Sequence, residues 1–196
     1  INMESFLERH EVSNWCLDED ILECVDFRNI ANETISFQYV AQIVEENLEK
    51  SVELIINDPI FQLHKSLIEE AYEAYKVGYY KMAVLSLFPP LEHIITSWYE
   101  LSITPENIAI TKKPKMHGGL RTKINDELAK DRILSYEVLR VNSVLRLYSK
   151  FFKGIKPKLS SQLNRNALYH GYYDYDSIDK VDALKLFQLL KASLII

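Results

Sequence analysis

The chain has 196 residues, 47% hydrophobic and 26% charged, with five glycines, six prolines and two cysteines. That is apolar material for one compact domain, or one domain with an extension, and too few turn-formers for an all-β fold. Cys16 and Cys24 resemble neither a disulfide framework nor a metal knuckle. Two packing or semi-exposed thiols in a reducing cytoplasm are the simple expectation, and the net charge of −5, taken evenly, argues against a nucleic-acid partner.

Residues 1–58 are separable by composition and read as an N-terminal helical extension packed on a bundle, with 34–57 helical; no Gly/Ser-rich linker marks the boundary. Opening at Ile1 rather than Met suits a fragment or a processed chain, and no basic stretch followed by an apolar one supports secretion. Residues 59–196 form the main helical domain. Its first helix starts at Pro59 behind Asp58, a cap followed by proline, and runs to Gly78. Residues 79–101 read as a long buried helix, kinked by Pro89 and Pro90. The most apolar run, 82–95, is interrupted by those prolines, Glu92 and His93, so a bilayer span is not expected. From 105 to 119 the periodicity fails and Lys-Lys-Pro-Lys followed by Gly118-Gly119 reads as a loop. Leu134, Val138, Val141, Leu145, Tyr148 and Phe152 recur at steps of four and three on one helical stripe, ended by Gly154 and Pro157. Ile178, Val181, Leu184, Phe187, Leu190 and Leu194 give a last helix with Asp176 or Ser177 as its cap. The expected fold is all-α, an up-and-down helical bundle.

The net charge hides an asymmetry. Residues 1–106 carry 20 acids and 6 bases. Residues 107–125 hold no acid and five bases, among them Lys112, Lys113 and Lys115, whose default reading is a solvated loop. Residues 138–173 hold no acid and seven bases: Arg140, Arg146, Lys150, Lys153, Lys156, Lys158 and Arg165. Clustered cations attract phosphate and release its counterions, which makes Lys150, Lys153, Lys156 and Lys158 candidate RNA contacts. A solvated helix face that happens to be basic is the bland alternative.

Several chemistries are excluded: there is no Gly-rich phosphate loop, no Gly-x-Ser-x-Gly elbow and no His-Glu-x-x-His. The five histidines are scattered, with no two four apart, so no metal site is expected. What stands out is Asn164-Arg165-Asn166-Ala167-Leu168-Tyr169-His170-Gly171-Tyr172. RNA cleavage without a metal needs a base for the 2′-hydroxyl, a donor for the leaving 5′-oxygen and positive charge on the phosphorane. Imidazole suits the proton transfers, and guanidinium suits the phosphate. On an ideal helix five residues turn through about 500°, leaving Arg165 and His170 roughly 140° apart. Long side-chain reach, a helix ending near Gly171, or a second protomer would bring them together. Glu92, in an otherwise apolar helix, is more simply an exposed or kink-associated glutamate; orienting Arg165 across the bundle is the alternative.

This segment resembles the HEPN superfamily of prokaryotic defence and toxin ribonucleases, whose signature is Arg, four to six residues, then His, often with a polar residue after the arginine. Arg165, Asn166 and His170 match it, and Gly171 gives the frequent His-Gly ending. Residues 172–196 supply the turn and closing helix that follow, while residues 71–83 and Pro90-Leu91-Glu92 resemble the paired central helices. The resemblance covers roughly 59–196; the segment around 103–131 makes the chain longer than minimal members, and 1–58 match nothing in the family. The resemblance implies a homodimer with one composite cleft and cleavage without metal or cofactor, leaving a 2′,3′-cyclic phosphate. Arg165 would hold phosphate, His170 would act as general base or acid, and Asn166 would position one of them or the RNA. It also implies a bacterial cytoplasmic setting in phage defence or a toxin–antitoxin pair. Some members read Arg-x4-His-x-Tyr, with the tyrosine adenylylated by a nucleotidyltransferase antitoxin; Tyr172 stands at that position, where packing or base stacking are the alternatives. Two rival expectations are a catalytically silent HEPN domain used for dimerisation or nucleotide binding, and an unrelated helical adaptor whose basic face binds an acidic protein.

Overall fold

A computed structural model describes residues 3–24, 36–99, 119–130, 135–155 and 162–196. Within them the helices are α1 (Met3–Val12), α2 (Glu19–Glu23), α3 (Phe37–Glu46), α4 (Leu48–Asn57), α5 (Lys65–Lys76), α6 (Tyr80–Tyr99), α7 (Leu120–Leu128), α8 (Tyr136–Phe151), α9 (Arg165–Tyr169) and α10 (Lys180–Ala192). Short 3-10 segments lie at Pro59–His64, Tyr175–Ser177 and Ser193–Ile195, and there is no β-strand among the described residues. The fold is all-α.

Side-chain oxygens mark where many of these helices begin. Asp18, Ser36, Ser135, Asn164 and Asp179 each accept from the N–H three residues on, at the first turns of α2, α3, α8, α9 and α10. Each satisfies a donor that a helix start leaves open. The expected stretch 34–57 is two helices. Asn47 divides them, with φ −103° and its Nδ2 donating to Ile43 O at 2.9 Å, a local bond that competes with helical continuation. Pro59 does follow an Asp58 cap, which accepts from Ile60 N at 2.9 Å, but the first turn is 3-10 before α5 takes over. Gly78, at φ +86°, ends α5: Tyr79 N donates to Ala74 O and Gly78 N to Tyr75 O, a Schellman closure. The cap of α10 is Asp179, not Asp176 or Ser177. Those two lie in the preceding 3-10 turn, because Ile178 is buried and the chain tucks it inward before the helix can start.

α10 buries Ala183, Leu184, Leu186, Phe187, Gln188, Leu189, Leu190 and Ala192, with Lys185 and Lys191 half-buried between them, and packs on α3, α4, α6 and α8. Its partner in the centre is α6, which stays helical through Pro89 and Pro90. α8 buries Leu139, Ser143, Val144, Leu145, Leu147, Tyr148 and Phe151; Leu145 and Tyr148 lie on the expected stripe, whose Val138, Val141 and Phe152 are only half-buried. The buried face is wider than one stripe because α1 and α7 both pack on α8. Leu134 and the expected 105–118 loop lie outside the described residues.

The N-terminal segment does more than rest on the bundle. Phe6, Leu7, Trp15, Ile21 and Leu22 belong to the same contiguous core as Leu87, Phe88 and Phe187. Charge reinforces this docking. Arg146 of α8 forks onto Glu11 of α1, with Nε to Oε2 at 2.7 Å and Nη2 to Oε1 at 2.8 Å, and Arg140 lies 3.5 Å from Glu19. The acidic first part of the chain and the basic helix are therefore complementary within one molecule. No described helix is long and apolar enough to cross a membrane.

Candidate functional site

α9 is five residues long, too short to persist alone, so neighbouring groups must hold it. Asn164 caps it through Oδ1, which accepts from Ala167 N at 2.8 Å, while its Nδ2 donates to Lys153 O at 3.1 Å. Asn166 Nδ2 donates to the same carbonyl at 3.0 Å. Two amide side chains thus fasten α9 to the end of α8, where carbonyls lack donors within the helix.

Arg165 reaches from the first position of α9 back to α6. Its Nε and Nη2 both donate to Glu92 Oε2, at 2.9 and 2.7 Å, and its Nη1 donates to Asn166 Oδ1 at 3.2 Å. Of the two readings of Glu92, orientation of Arg165 across the bundle is the one the geometry takes. A guanidinium carries five N–H groups, so one on each Nη remains beyond these three bonds. Its Cζ lies over the Tyr169 ring, 5.1 Å from the centroid.

Tyr169 is itself anchored by a consequence of Pro89. A proline has no N–H to give the carbonyl four residues back, which here belongs to Leu85. The Tyr169 hydroxyl donates to that carbonyl instead. Burial pushes the hydroxyl's pKa up, so it remains a donor at neutral pH. The ring also meets Phe88 edge-on, with centroids 6.4 Å apart. Sequence reasoning did not single out Tyr169, although a mid-helix proline is a signal that some donor must serve the orphaned carbonyl.

His170 is the C-cap of α9 and is exposed. Gly171 follows at φ +78°, and Tyr172 N donates to Ala167 O at 2.9 Å, which closes the helix in the Schellman manner. The His170 side chain makes no hydrogen bond or ion pair with the described residues. Of the routes by which Arg165 and His170 could converge, the helix ending at Gly171 is present. No hydrogen bond joins the two, and they stand at opposite ends of α9. Tyr172 is 58% exposed.

The basic helix face is largely committed elsewhere. Lys150 Nζ donates to Glu11 O at 2.9 Å and Val12 O at 2.8 Å, closing the C-terminus of α1, and burial lowers its pKa. With Arg146 on Glu11 and Arg140 beside Glu19, only Lys153 among the four candidate lysines is described and exposed; Lys156 and Lys158, like Lys112, Lys113 and Lys115, lie outside the described residues.

A second imidazole feature lies beside Glu92. His64 Nε2 and His93 Nδ1 are 2.9 Å apart, with the rings at 72°. Burial lowers both pKa values, that of His64 to about 4 with the facing His93 contributing, so the pair shares a hydrogen bond between neutral rings at pH 7. Sequence spacing could not reveal a contact between residues 29 apart in different elements. Cys16 is buried, its thiol pushed far up by burial, whereas Cys24 is exposed. Among the described residues no three His, Cys, Asp or Glu side chains gather as a ligand set.

Chemically, the cluster offers an immobilised guanidinium with two spare donors and an exposed imidazole on a glycine-capped helix end. Those groups suit phosphate binding and proton transfer. No known family model, curated protein or solved structure matches the chain.

Proposed function

We propose that the chain is a metal-independent endoribonuclease acting as a homodimer. The observation that carries this reading is the short helix α9. It holds a guanidinium with unclaimed donors at its start and an exposed imidazole at its end, on residues that match the Arg-x4-His signature. Arg165 holds the scissile phosphate and balances the charge that grows on the phosphorane. His170 takes the proton from the 2′-hydroxyl as that oxygen attacks phosphorus. The bond to the 5′-oxygen breaks, leaving a 2′,3′-cyclic phosphate and a 5′-hydroxyl. The departing oxygen needs a second proton donor, and the same segment of a second subunit completes the cleft. Asn166 keeps the guanidinium pointed at the phosphate. The setting is prokaryotic defence or a toxin–antitoxin pair in the cytoplasm, and the exposed Tyr172 is accessible to a nucleotidyltransferase antitoxin.

One observation favours a second reading. Glu92 partly neutralises Arg165, as suits a catalytically silent domain that binds nucleic acid or nucleotide without cutting. The two separate in a single assay. Purified protein incubated with single-stranded RNA in excess EDTA should fragment it, and His170→Ala should abolish fragmentation while circular dichroism stays unchanged. RNA retained intact by the wild type selects the silent module. Salt-insensitive capture of a protein partner, with no RNA bound, selects an adaptor.

A further inference from the structure

We propose that Tyr169 is the base-stacking platform of this site: its exposed ring takes the unpaired base beside the phosphate held at Arg165. The inference rests on the ribonuclease reading and narrows its substrate to RNA whose bases are free to leave a helix.

Three contacts fix the ring. The hydroxyl is tied to Leu85 O, the ring packs T-shaped against Phe88, and the Arg165 guanidinium lies over it. Tyr169 is nevertheless 43% exposed. Its hydroxyl is bonded, yet the residue still presents surface to solvent beside Arg165. An exposed aromatic that is already immobilised loses little freedom on binding, so stacking energy is not offset by ordering. The guanidinium over the ring places a cation beside any base that stacks there. The same guanidinium has a spare N–H on each Nη for phosphate oxygens, so backbone and base of one nucleotide meet adjacent groups. Bases in a duplex have both faces occupied, and only an unpaired base can use such a platform. Tyr172 is more exposed, but no ring contact or side-chain hydrogen bond among the described residues holds it.

The test measures binding without turnover, in full-length protein carrying His170→Ala. The probe is a short fluorescent single-stranded RNA with a set of versions in which one base at a time is removed. The expected result is one position whose abasic version binds about tenfold more weakly. Adding Tyr169→Leu should weaken the intact RNA by a similar factor and erase the penalty at that position. Tyr169→Phe, which keeps the ring, should retain both the affinity and the penalty within about twofold. A parent protein indifferent to base removal at every position overturns the stacking proposal without needing any Tyr169 variant. So does a folded Tyr169→Leu protein that keeps the penalty. Absence of any RNA binding by the parent overturns the ribonuclease reading itself.

Discussion

Arg165 is directed by groups that the local sequence only partly contains. Asn166 is its neighbour, and Tyr169 is one turn on, but Glu92 comes from 73 residues away, so the guanidinium's direction depends on tertiary structure. Tyr169 in turn depends on Pro89 having left Leu85 O without a donor. The His64–His93 pair makes a prediction at this same scale. His64 titrates near 4 in the folded chain, against an ordinary value of 6.5, because burial and the facing His93 disfavour its charged form. Between those values the unfolded chain binds a proton that the folded chain refuses. Stability from this source is complete above pH 6.5 and declines as pH falls towards 4. For a half-exposed pair the decline, discounted for solvent screening, is about 1–2 kcal/mol. Urea unfolding at pH 7 and pH 4.5 should show that part of the slope in the wild type and its loss in His64→Gln. An identical slope in both proteins would assign the acid sensitivity to other groups.

Among the elements, α9 depends most on its ending. Gly171 sits at φ +78° with nothing within 4 Å of where a Cβ would be, so an added methyl meets no steric obstacle beyond its own backbone. Gly171→Ala should therefore cost about 1–2 kcal/mol from the left-handed conformation alone. Denaturant unfolding measures it, and a variant as stable as the wild type would contradict the turn described. Glycine endings at Gly78 and the His170-Gly171 segment were legible in the sequence, as was the capped start at Asp58-Pro59. Other boundaries were not. Asn47 breaks a stretch of good helical periodicity because its amide bonds back to Ile43 O, and an asparagine in that setting reads equally as a surface residue. Asp176 and Ser177 were the expected caps of the last helix and Asp179 is the one used; the burial of Ile178 decides this, and that is a tertiary fact. The face of α8 was legible only in part for a related reason, since periodicity locates a single stripe and α8 is covered on more than one side.

At the scale of the whole molecule, the charge asymmetry has a different meaning from the one segment counts suggest. Seven bases in a run without acids looked like a surface for phosphate, yet the folded chain turns Arg146, Arg140 and Lys150 towards its own acidic N-terminal helices. A sequence window sees the bases and not the carboxylates more than a hundred residues away that answer them. Removing one side should show the coupling: Glu11→Ala leaves a largely buried guanidinium with only the looser Glu4 contact at 3.8 Å and should cost about 2–3 kcal/mol, and adding Arg146→Ala should restore part of the loss. Chemical denaturation of the two single variants and the double checks this, and additive losses would mean that the pair is energetically idle. Arg165 and His170 were singled out from the sequence and stand at opposite ends of α9; the groups that direct Arg165 from α6 came through folding. The central claim, that these two groups act on one phosphodiester, is tested most directly by the ends of the RNA fragments made in excess EDTA. The account predicts 2′,3′-cyclic phosphate ends from the wild type and no fragments from Arg165→Ala or His170→Ala. Fragmentation by either variant at the wild-type rate would contradict it.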